Sequence, residues 1–561
     1  MNGKILLFDK NVNRYRKLAD VRSEKEDFSG ALAFLTSARH IDCNLDVLID
    51  IADAYADMGV LELSNKFWFK YLDKAPKEKL GMAYEELAIN YFYLDNFWAS
   101  SYYFHQKLSV DGYIAKEGLN QEIIDFFSGE EFKKLSYRVV YPIERADFSY
   151  EYKRAKHAMA VGAFEEGAKI LSSVPFGGLD EEHAGDLAVC YFMTEKFDEA
   201  EEICRKSLDA HGENVTAYCN LSTIYDMKED FNNSEFYYRK ALNCVKGEKS
   251  EAYKLATCAI EREDHAVAAD CLNKILLDRP YEITMRFFYG LALANLKKFD
   301  RAEQELKEAY SFNPDDVIVK YYYDYVCALA QSKGDIDDLM PFKYVKEIPE
   351  KITKKWEKII DGASQTPERA EAALKKQDTQ KIIEWAIFHG NSQTMRTAVY
   401  ILSLSNGAYA KNLLREALLD PDGSEELKRV LVYVLIMKGI KEKTGVVAGS
   451  FYLKLKPKKL ACEKQAAGNL YLSAYALCMS RVIFYEVDDL DKIAKACDKV
   501  YKKFKGLITE AEASNEDIAA LILLQAATKR FSKEEDVARL FAVSKEKLKT
   551  LNRIFKGEKN D

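Results

Sequence analysis

Acidic side chains recur near the start of the chain at intervals that a helix would bring together. Asp46, Asp50, Asp53 and Asp57 are separated by four, three and four residues, which places them on one face of a helix. Such a row of carboxylates could bind a basic segment of another protein. It could equally be a solvated helix face, the usual role of a run of charge, and the spacing alone leaves both interpretations open.

The side chains that enzymes need do not form a recognisable pattern. The sequence contains no phosphate-binding loop, no dinucleotide-binding glycine motif, no HExxH zinc motif and no GxSxG nucleophile motif. Its seven histidines are far apart, and none has metal-ligand spacing to a cysteine or to another histidine. The sequence therefore predicts a protein that is not an enzyme and that binds no cofactor and no metal.

The composition is that of a folded, helical chain. Of the 561 residues, 31% are charged and 48% are apolar, and only 10 are proline, which favours an all-α protein. No uncharged apolar run reaches the ~18 residues that a membrane helix needs, and the apolar run after Met1 is too short for a signal peptide. Eleven cysteines without a CxxC pair are typical of a reducing compartment, so we expect a cytoplasmic protein that contacts no membrane.

Charge is distributed unevenly along the chain. Residues 1–335 carry 42 Lys and Arg against 58 Asp and Glu, a net charge of −16, whereas residues 336–561 carry 40 against 32, a net charge of +8. This asymmetry indicates separate partners for the two parts of the chain, or contact between them.

A 34-residue repeat runs from about Glu181 to Asp316. Large and small side chains recur at fixed positions in four copies without an insertion. One position holds Leu187, Leu221, Leu255 and Tyr289, the next holds Ala188, Ser222, Ala256 and Gly290, and a later one holds Phe197, Phe231, His265 and Phe299. A two-helix unit of this kind cannot bury its own apolar face, so each copy must stack on the next.

The spacing and the pattern of small and large positions closely resemble the tetratricopeptide repeat (TPR) family. The resemblance implies a right-handed TPR solenoid in two segments. The first segment, residues 1–115, holds TPR-like repeats in which Ile51, Ala52 and Tyr55 recur 36 residues later as Leu87, Ala88 and Tyr91. An irregular helical joint at 116–148 separates it from the second segment, a TPR solenoid with a capping helix at 149–335.

Beyond the repeats the 34-residue register is lost. We predict a linker at 336–365, an α-helical HEAT-like region at 366–460 and a five-helix domain at 461–561. Alternating apolar and polar residues predict a hairpin near 445–457. The predicted fold class is therefore all-α: a right-handed TPR solenoid in two segments, followed by a helical C-terminal region with one small β-hairpin.

In the TPR family the first helix of each repeat lines a concave groove. The resemblance places these thirteen side chains in it: Asp46, Asp50, Asp53, Asp57, Glu85, Glu86, Phe92, Phe192, Met193, Asn220, Tyr253, Lys254 and Phe287. Some TPR domains hold a peptide's terminal carboxylate with a set of Lys, Asn and Arg residues, and that set is incomplete here, since Lys254 replaces the Arg. We therefore expect aromatic anchoring of an extended or helical peptide in the four-copy stretch.

A second resemblance lies at 533–556, where the apolar spacing is similar to the helix-turn-helix of DNA-binding proteins. Ala542 occupies the turn, at which that family prefers Gly. The exposed face of the second helix would carry Lys545, Lys547, Lys549, Asn552 and Arg553, of which the cations suit phosphate contacts. Ordinary packing of three helices produces the same pattern, so nucleic-acid contact and structural packing both stay open.

Two functions are consistent with these observations. The first is a cytoplasmic TPR scaffold or adaptor that binds a protein or peptide in its concave groove. The alternative is a DNA-binding regulator that uses the C-terminal helix-turn-helix, with the repeats as its sensor or partner-binding part.

Overall fold

The computed structural model divides the chain into two compact units, Met1–Ile348 and Pro349–Asp561. It describes residues 11–111, 137–138, 144–145, 148–160, 162–245, 249–331, 341–440, 442–464, 469–484, 490–505, 512–528 and 531–557. Most of the predicted joint at 116–148 lies outside the described residues. The predicted all-α class with a small hairpin is confirmed.

The first unit consists of helices that pack in sequential pairs. They are α1 Val12–Ser23, α2 Phe28–Ile41, α3 Leu45–Asp57, α4 Leu61–Lys74, α5 Leu80–Tyr93, α6 Phe97–Asp111, α7 Ser149–Ala160, α8 Phe164–Ser172, α9 Glu181–Met193, α10 Phe197–His211, α11 Val215–Met227, α12 Phe231–Asn243, α13 Lys249–Glu261, α14 His265–Asp278, α15 Ile283–Asn295, α16 Phe299–Phe312 and α17 Val317–Gln331. A short antiparallel pair, β1 Tyr137–Arg138 and β2 Glu144–Arg145, lies between α6 and α7. The repeats predicted from the 34-residue register are therefore helix pairs.

Side-chain size explains why the pairs pack closely. The small residues Ala200, Ala268 and Ala302 of the second helices are fully buried. Gly290 lies against Leu306 of the paired helix, and a Cβ atom at this glycine would come within 2.6 Å of Leu306 Cγ. A larger residue at Gly290 would thus push α15 away from α16.

The turn within each pair has the same backbone conformation. The residue two places before the second helix has a positive φ in all eight described pairs: Glu26, Gly59, Asp95, Gly162, Glu195, Glu229, Glu263 and Lys297. The next amide donates back to the first helix, as in Lys196 N to Tyr191 O at 2.9 Å and Lys298 N to Leu293 O at 2.8 Å. These are helix C-terminal caps in a left-handed conformation, a position at which glycine is the usual residue.

The first and last repeats of this unit contact each other. Arg39 of α2 donates to both carboxylate oxygens of Asp315, each at 2.7 Å, and the buried Tyr55 hydroxyl of α3 donates to the Phe312 carbonyl at 3.0 Å. Tyr281 packs edge-on against Phe28 of α2, with ring centroids 5.3 Å apart. Burial alone would raise the pKa of Asp315, but the hydrogen bonds and the charge of Arg39 outweigh burial and lower it to about 2. The solenoid is thereby closed by contacts between α2–α3 and the end of α16.

The second unit is also mainly helical. Its helices are α18 Glu350–Ser364, α19 Pro367–Leu374, α20 Gln377–His389, α21 Ser392–Leu404, α22 Ala408–Leu419, α23 Glu425–Met437, α24 Asn469–Val482, α25 Leu490–Phe504, α26 Asn515–Ala526, α27 Glu534–Phe541 and α28 Lys545–Lys556. The predicted hairpin is β3 Thr444–Ala448 paired antiparallel with β4 Phe451–Leu455, in the register Val446 to Leu453. β3 packs against α22 and α23.

A buried lysine holds two helices of this unit together. Lys428 of α23 is fully buried, and its Nζ donates to the carbonyls of Ala417, Leu418 and Asp420 at 2.6, 2.8 and 2.6 Å. These carbonyls lie at the C-terminal end of α22, where the helix leaves its acceptors unpaired and where a cation is favoured. Sequence reasoning did not single out this lysine.

Replacing Tyr55 by Phe tests the closing contact of the first unit. The substitution removes one buried hydrogen bond and leaves the Phe312 carbonyl without that donor, which should cost about 1 kcal/mol. We expect the amides of α3 and α16 to exchange with deuterated water roughly fivefold faster. Tyr400→Phe, at a residue that is 49% exposed, should leave their exchange unchanged, and equal exchange in all three proteins would contradict the contact.

Candidate functional site

Two of the four predicted aspartates are paired within the chain. Arg16 of α1 donates to Asp46 at 3.1 Å and to Asp50 at 2.5 and 3.0 Å. Arg16 precedes Asp50 by 34 residues, so it occupies the equivalent helix of the preceding repeat. Asp46 and Asp50, which were predicted to line the groove, therefore already have a cation that the neighbouring repeat supplies.

Asp53, Asp57 and Glu86 form the part of the acidic face that has no counter-ion among the described residues. Partial burial, followed by the charges of Asp57 and Asp50, raises the pKa of Asp53 to about 6. Burial, followed by the charges of Asp53 and Glu85, raises the pKa of Glu86 to about 7, against a smaller opposite effect of Lys107. α3 and α5 thus present neighbouring carboxylates that repel one another, and we call Asp53, Asp57 and Glu86 the acidic face.

The other two predicted residues of α5 serve the fold. Glu85 forms an ion pair with the buried Lys107 of α6. Phe92 is 6% exposed and packs edge-on against Phe97 at 5.6 Å. Both were predicted to line the groove, but packing between α5 and α6 occupies them, so neither is open to a partner.

The predicted anchors of the four-copy stretch differ in their exposure. Phe287 is fully buried, and Tyr322 of α17 packs against it, with ring centroids 5.3 Å apart. It was predicted to be an anchor and that prediction is wrong. Phe192 is partly buried against Phe197, whereas Met193 is 52% exposed.

The polar members of this stretch are partly buried. Asn220 lines a small pocket with Glu181, Gly185 and Cys204, and its Nδ2 is buried without a hydrogen-bond partner. The Tyr253 hydroxyl is likewise buried and unbonded. Lys254 is partly buried. Fewer side chains on α9, α11, α13 and α15 are therefore exposed for binding a peptide than the sequence pattern predicted.

The predicted nucleic-acid face uses most of its polar groups internally. Lys545 pairs with Glu535 at 2.5 Å and Lys547 pairs with Asp517 at 2.6 Å. Asn552 is 7% exposed, accepts from Gln525 and donates to Glu534. Its prediction as an exposed contact is wrong, since the packing of α28 against α26 and α27 buries it.

The turn between α27 and α28 packs the two helices together, which brings the polar residues of α28 close to their partners. Ala542 has a left-handed conformation with φ +54°, and the apolar residues Val537, Phe541 and Leu548 are buried around it. Of the five predicted residues, Lys549 and Arg553 are exposed and form no ion pair with a described residue. Two exposed cations give little basis for phosphate binding.

Among the described residues, no helix is long and apolar enough to cross a membrane. In the same part of the chain, no group of three or more His, Cys, Asp or Glu side chains could hold a metal ion.

Glu86→Gln tests the repulsion within the acidic face. Because the folded pKa of about 7 exceeds the ordinary value of 4.5, ionised Glu86 opposes folding above pH 7, and this effect disappears as the pH falls towards 4. We expect the variant to be more stable than the native chain by on the order of 1 kcal/mol at pH 8, with little difference at pH 5. Thermal unfolding at both pH values measures this.

The matched control for that experiment is Glu62→Gln, at an exposed position of α4. It should leave the stability unchanged at both pH values. A gain for Glu86→Gln that is the same at pH 5 and at pH 8 would show that charge repulsion is not its cause.

The family profile described as tetratricopeptide repeat matches residues 215–243 and 283–316. These ranges cover α11 with α12 and α15 with α16. No curated protein matches the chain.

Among solved structures, the chain is similar to YrrB, described as a TPR protein with an unusual peptide-binding site. The two are 20% identical with a TM-score of 0.24 over 28% of this chain and 79% of that one. Yeast Tom70 is 14% identical with a TM-score of 0.29, over 89% of this chain and 97% of that one. The C-terminal part of a TPR repeat-containing protein from Cytophaga hutchinsonii is 14% identical with a TM-score of 0.26, over 47% and 99%.

Proposed function

Because the chain carries tetratricopeptide repeats, which build scaffolds for protein–protein interaction, we propose that it is an adaptor whose first helices bind a segment of another protein. No disulfide joins any of the eleven cysteines, which supports a reducing compartment, and we place the adaptor in the cytoplasm. The proposal assigns no chemical reaction to the chain.

The observation that carries this proposal is the acidic face on α3 and α5. Asp53, Asp57 and Glu86 lie on the first helices of two consecutive repeats and lack a cation among the described residues. Burial, followed by the charges of neighbouring carboxylates, raises the pKa values of Asp53 and Glu86, so that their ionisation reduces the stability of the fold at neutral pH. A bound Lys or Arg side chain would relieve that repulsion, so the partner segment is expected to be basic.

Binding at this face should depend on pH in a defined direction. A cationic segment needs ionised carboxylates, and the raised pKa values of about 6 for Asp53 and about 7 for Glu86 mean that both are largely protonated near pH 5.5. Asp50 is neutralised by Arg16, and Glu85 is neutralised by Lys107. Affinity is therefore expected to rise between pH 5.5 and pH 8, and the bound cation should lower both pKa values.

A labelled peptide of Lys, Gly and Ser tests this site by fluorescence anisotropy with the full chain. We expect at least fivefold tighter binding at pH 8 than at pH 5.5. The double variant Asp53→Asn with Glu86→Gln should weaken binding at pH 8 about tenfold, or about 1.4 kcal/mol, and should remove the pH dependence.

The control is Glu62→Gln with Glu78→Gln, which removes the same charge from exposed positions outside α3 and α5. It should bind the peptide as the native chain does. An equal loss of affinity in both double variants would assign the binding to net charge rather than to the acidic face.

A further inference from the structure

Two consecutive turns of the four-copy stretch expose apolar side chains. Met193 and Met227 are the last residues of α9 and α11 and are 52% and 58% exposed. Phe231, the first residue of α12, is 67% exposed, and Phe197 at the same repeat position is partly buried. These four residues define the turn-edge surface.

An ion-pair bridge joins the two turns into one surface. Lys228, which follows Met227, donates to Asp198 of α10 at 2.6 Å and to Glu201 at 2.7 Å. The turn after α11 therefore lies directly beside the start of α10. Since α9 also packs against α11, the equivalent side chains Met193 and Met227 belong to neighbouring helices.

Carboxylates without a cation accompany these apolar side chains. Glu195, Glu199 and Glu229 are exposed, and none of them forms an ion pair with a described residue. The nearby cations are engaged elsewhere, since Lys228 bridges the turns and Lys196 lies over the Tyr191 ring at 5.9 Å. The turn-edge surface is therefore apolar with an acidic border.

The backbone gives these glutamates an unfavourable conformation. Glu195 and Glu229 have φ values of +61° and +60°, in a left-handed region that is less favourable for a residue with a Cβ atom than for glycine. Gly59 and Gly162 occupy the equivalent place in two other pairs, so the turn itself does not need a carboxylate. Glu26, Asp95 and Glu263 have the same conformation in other pairs, so the conformation belongs to the repeat turn and is not specific to this surface.

We propose that the turn-edge surface binds an amphipathic helix of a partner protein that carries apolar residues along one face and Lys or Arg beside them. The apolar face would cover Met193, Met227 and Phe231, and the basic residues would pair with Glu195, Glu199 and Glu229. Methionine adapts its shape to such a ligand because its side chain is unbranched and flexible.

The spacing of the surface fits a helix. Neighbouring packed helices are about 8–10 Å apart, so equivalent residues of successive repeats are separated by about that distance. A helix rises ~1.5 Å per residue, which places its residues i and i+7 on the same face about 10 Å apart. A β-strand advances ~10 Å in three residues and turns that third residue to its opposite face.

The surface ends at the next repeat. The positions equivalent to Met227 and Phe231 are Glu261 and His265 there, and they bond to Thr223 and to Tyr344. The turn-edge surface lies on α9–α12, whereas the acidic face lies on α3 and α5, so each can fail without the other.

A labelled 18-residue helical peptide of Leu and Lys, with Leu at positions i, i+3, i+4 and i+7, tests the proposal by fluorescence anisotropy with the full chain. Met227→Ser combined with Phe231→Ser should weaken its binding at least tenfold. Glu195→Gln combined with Glu229→Gln should weaken it about threefold at low salt and reduce its salt dependence. Far-UV circular dichroism and thermal unfolding should show that all variants keep their fold.

Four controls decide the outcome. Phe236→Ser removes another exposed aromatic residue of α12, about 140° around the helix from Phe231, and should change the affinity less than twofold. Asp53→Asn with Glu86→Gln should also leave it within twofold. A peptide with Glu in place of Lys, and one with two central prolines, should each bind at least tenfold more weakly than the Leu–Lys helix.

The proposal is overturned if Met227→Ser with Phe231→Ser binds as the native chain does, or if Phe236→Ser weakens binding equally. Equal binding of the proline-containing peptide would assign an extended rather than a helical ligand and would also overturn it. Loss of binding only in the Asp53 and Glu86 variant would place the peptide at the acidic face instead.

Discussion

Each two-helix unit of the first half of the chain leaves an apolar side uncovered, and only stacking on the next unit covers it. This requirement fixes how close the helices come. Ala200, Ala241 and Ala302 are fully buried, and a Cβ atom on Gly290 would meet Leu306 at 2.6 Å. Because the helices pack this closely, each repeat stacks on the next in the same orientation. Side chains at the same repeat position therefore lie on the same side of the solenoid in successive repeats.

The sequence predicted the elements well because periodicity determines which side of a helix is buried. The positions of Leu187, Leu221 and Leu255 are buried as the 34-residue register required. The register describes a single unit, however, and says little about side chains that its neighbours contribute. Phe287 was predicted to face the groove but is covered by Tyr322, and Asp50 was predicted to be open but is bonded to Arg16. The separation of Arg16 from Asp50 by 34 residues was the one signal in the sequence that could have revealed this pair.

Contacts between distant repeats could not be predicted from the sequence, for a different reason. Arg39 and Asp315 are 276 residues apart and Tyr55 and Phe312 are 257 apart, so no local pattern relates them. Their meeting depends on the small rotation from each unit to the next, summed over the stack. The two hydrogen bonds from Arg39 to both carboxylate oxygens of Asp315 give this closing contact a defined geometry.

Charged residues of the chain fall into two groups: those that pair with a charge inside the fold, and those that have no opposite charge among the described residues. The first group stabilises the fold, and the second is available to bind a partner. Lys545, Lys547 and Asp50 are paired internally, so their charges are accounted for by the fold. Asp53 and Glu86 have no cation in the described structure and repel each other, while Glu195 and Glu229 hold their charge in a left-handed turn that glycine would fill with less strain. Ionisation of Asp53 and Glu86 reduces the stability of the isolated chain. A partner that supplies the missing cations recovers that free energy on binding, which makes these carboxylates better candidates for recognition than any count of charged residues in the sequence.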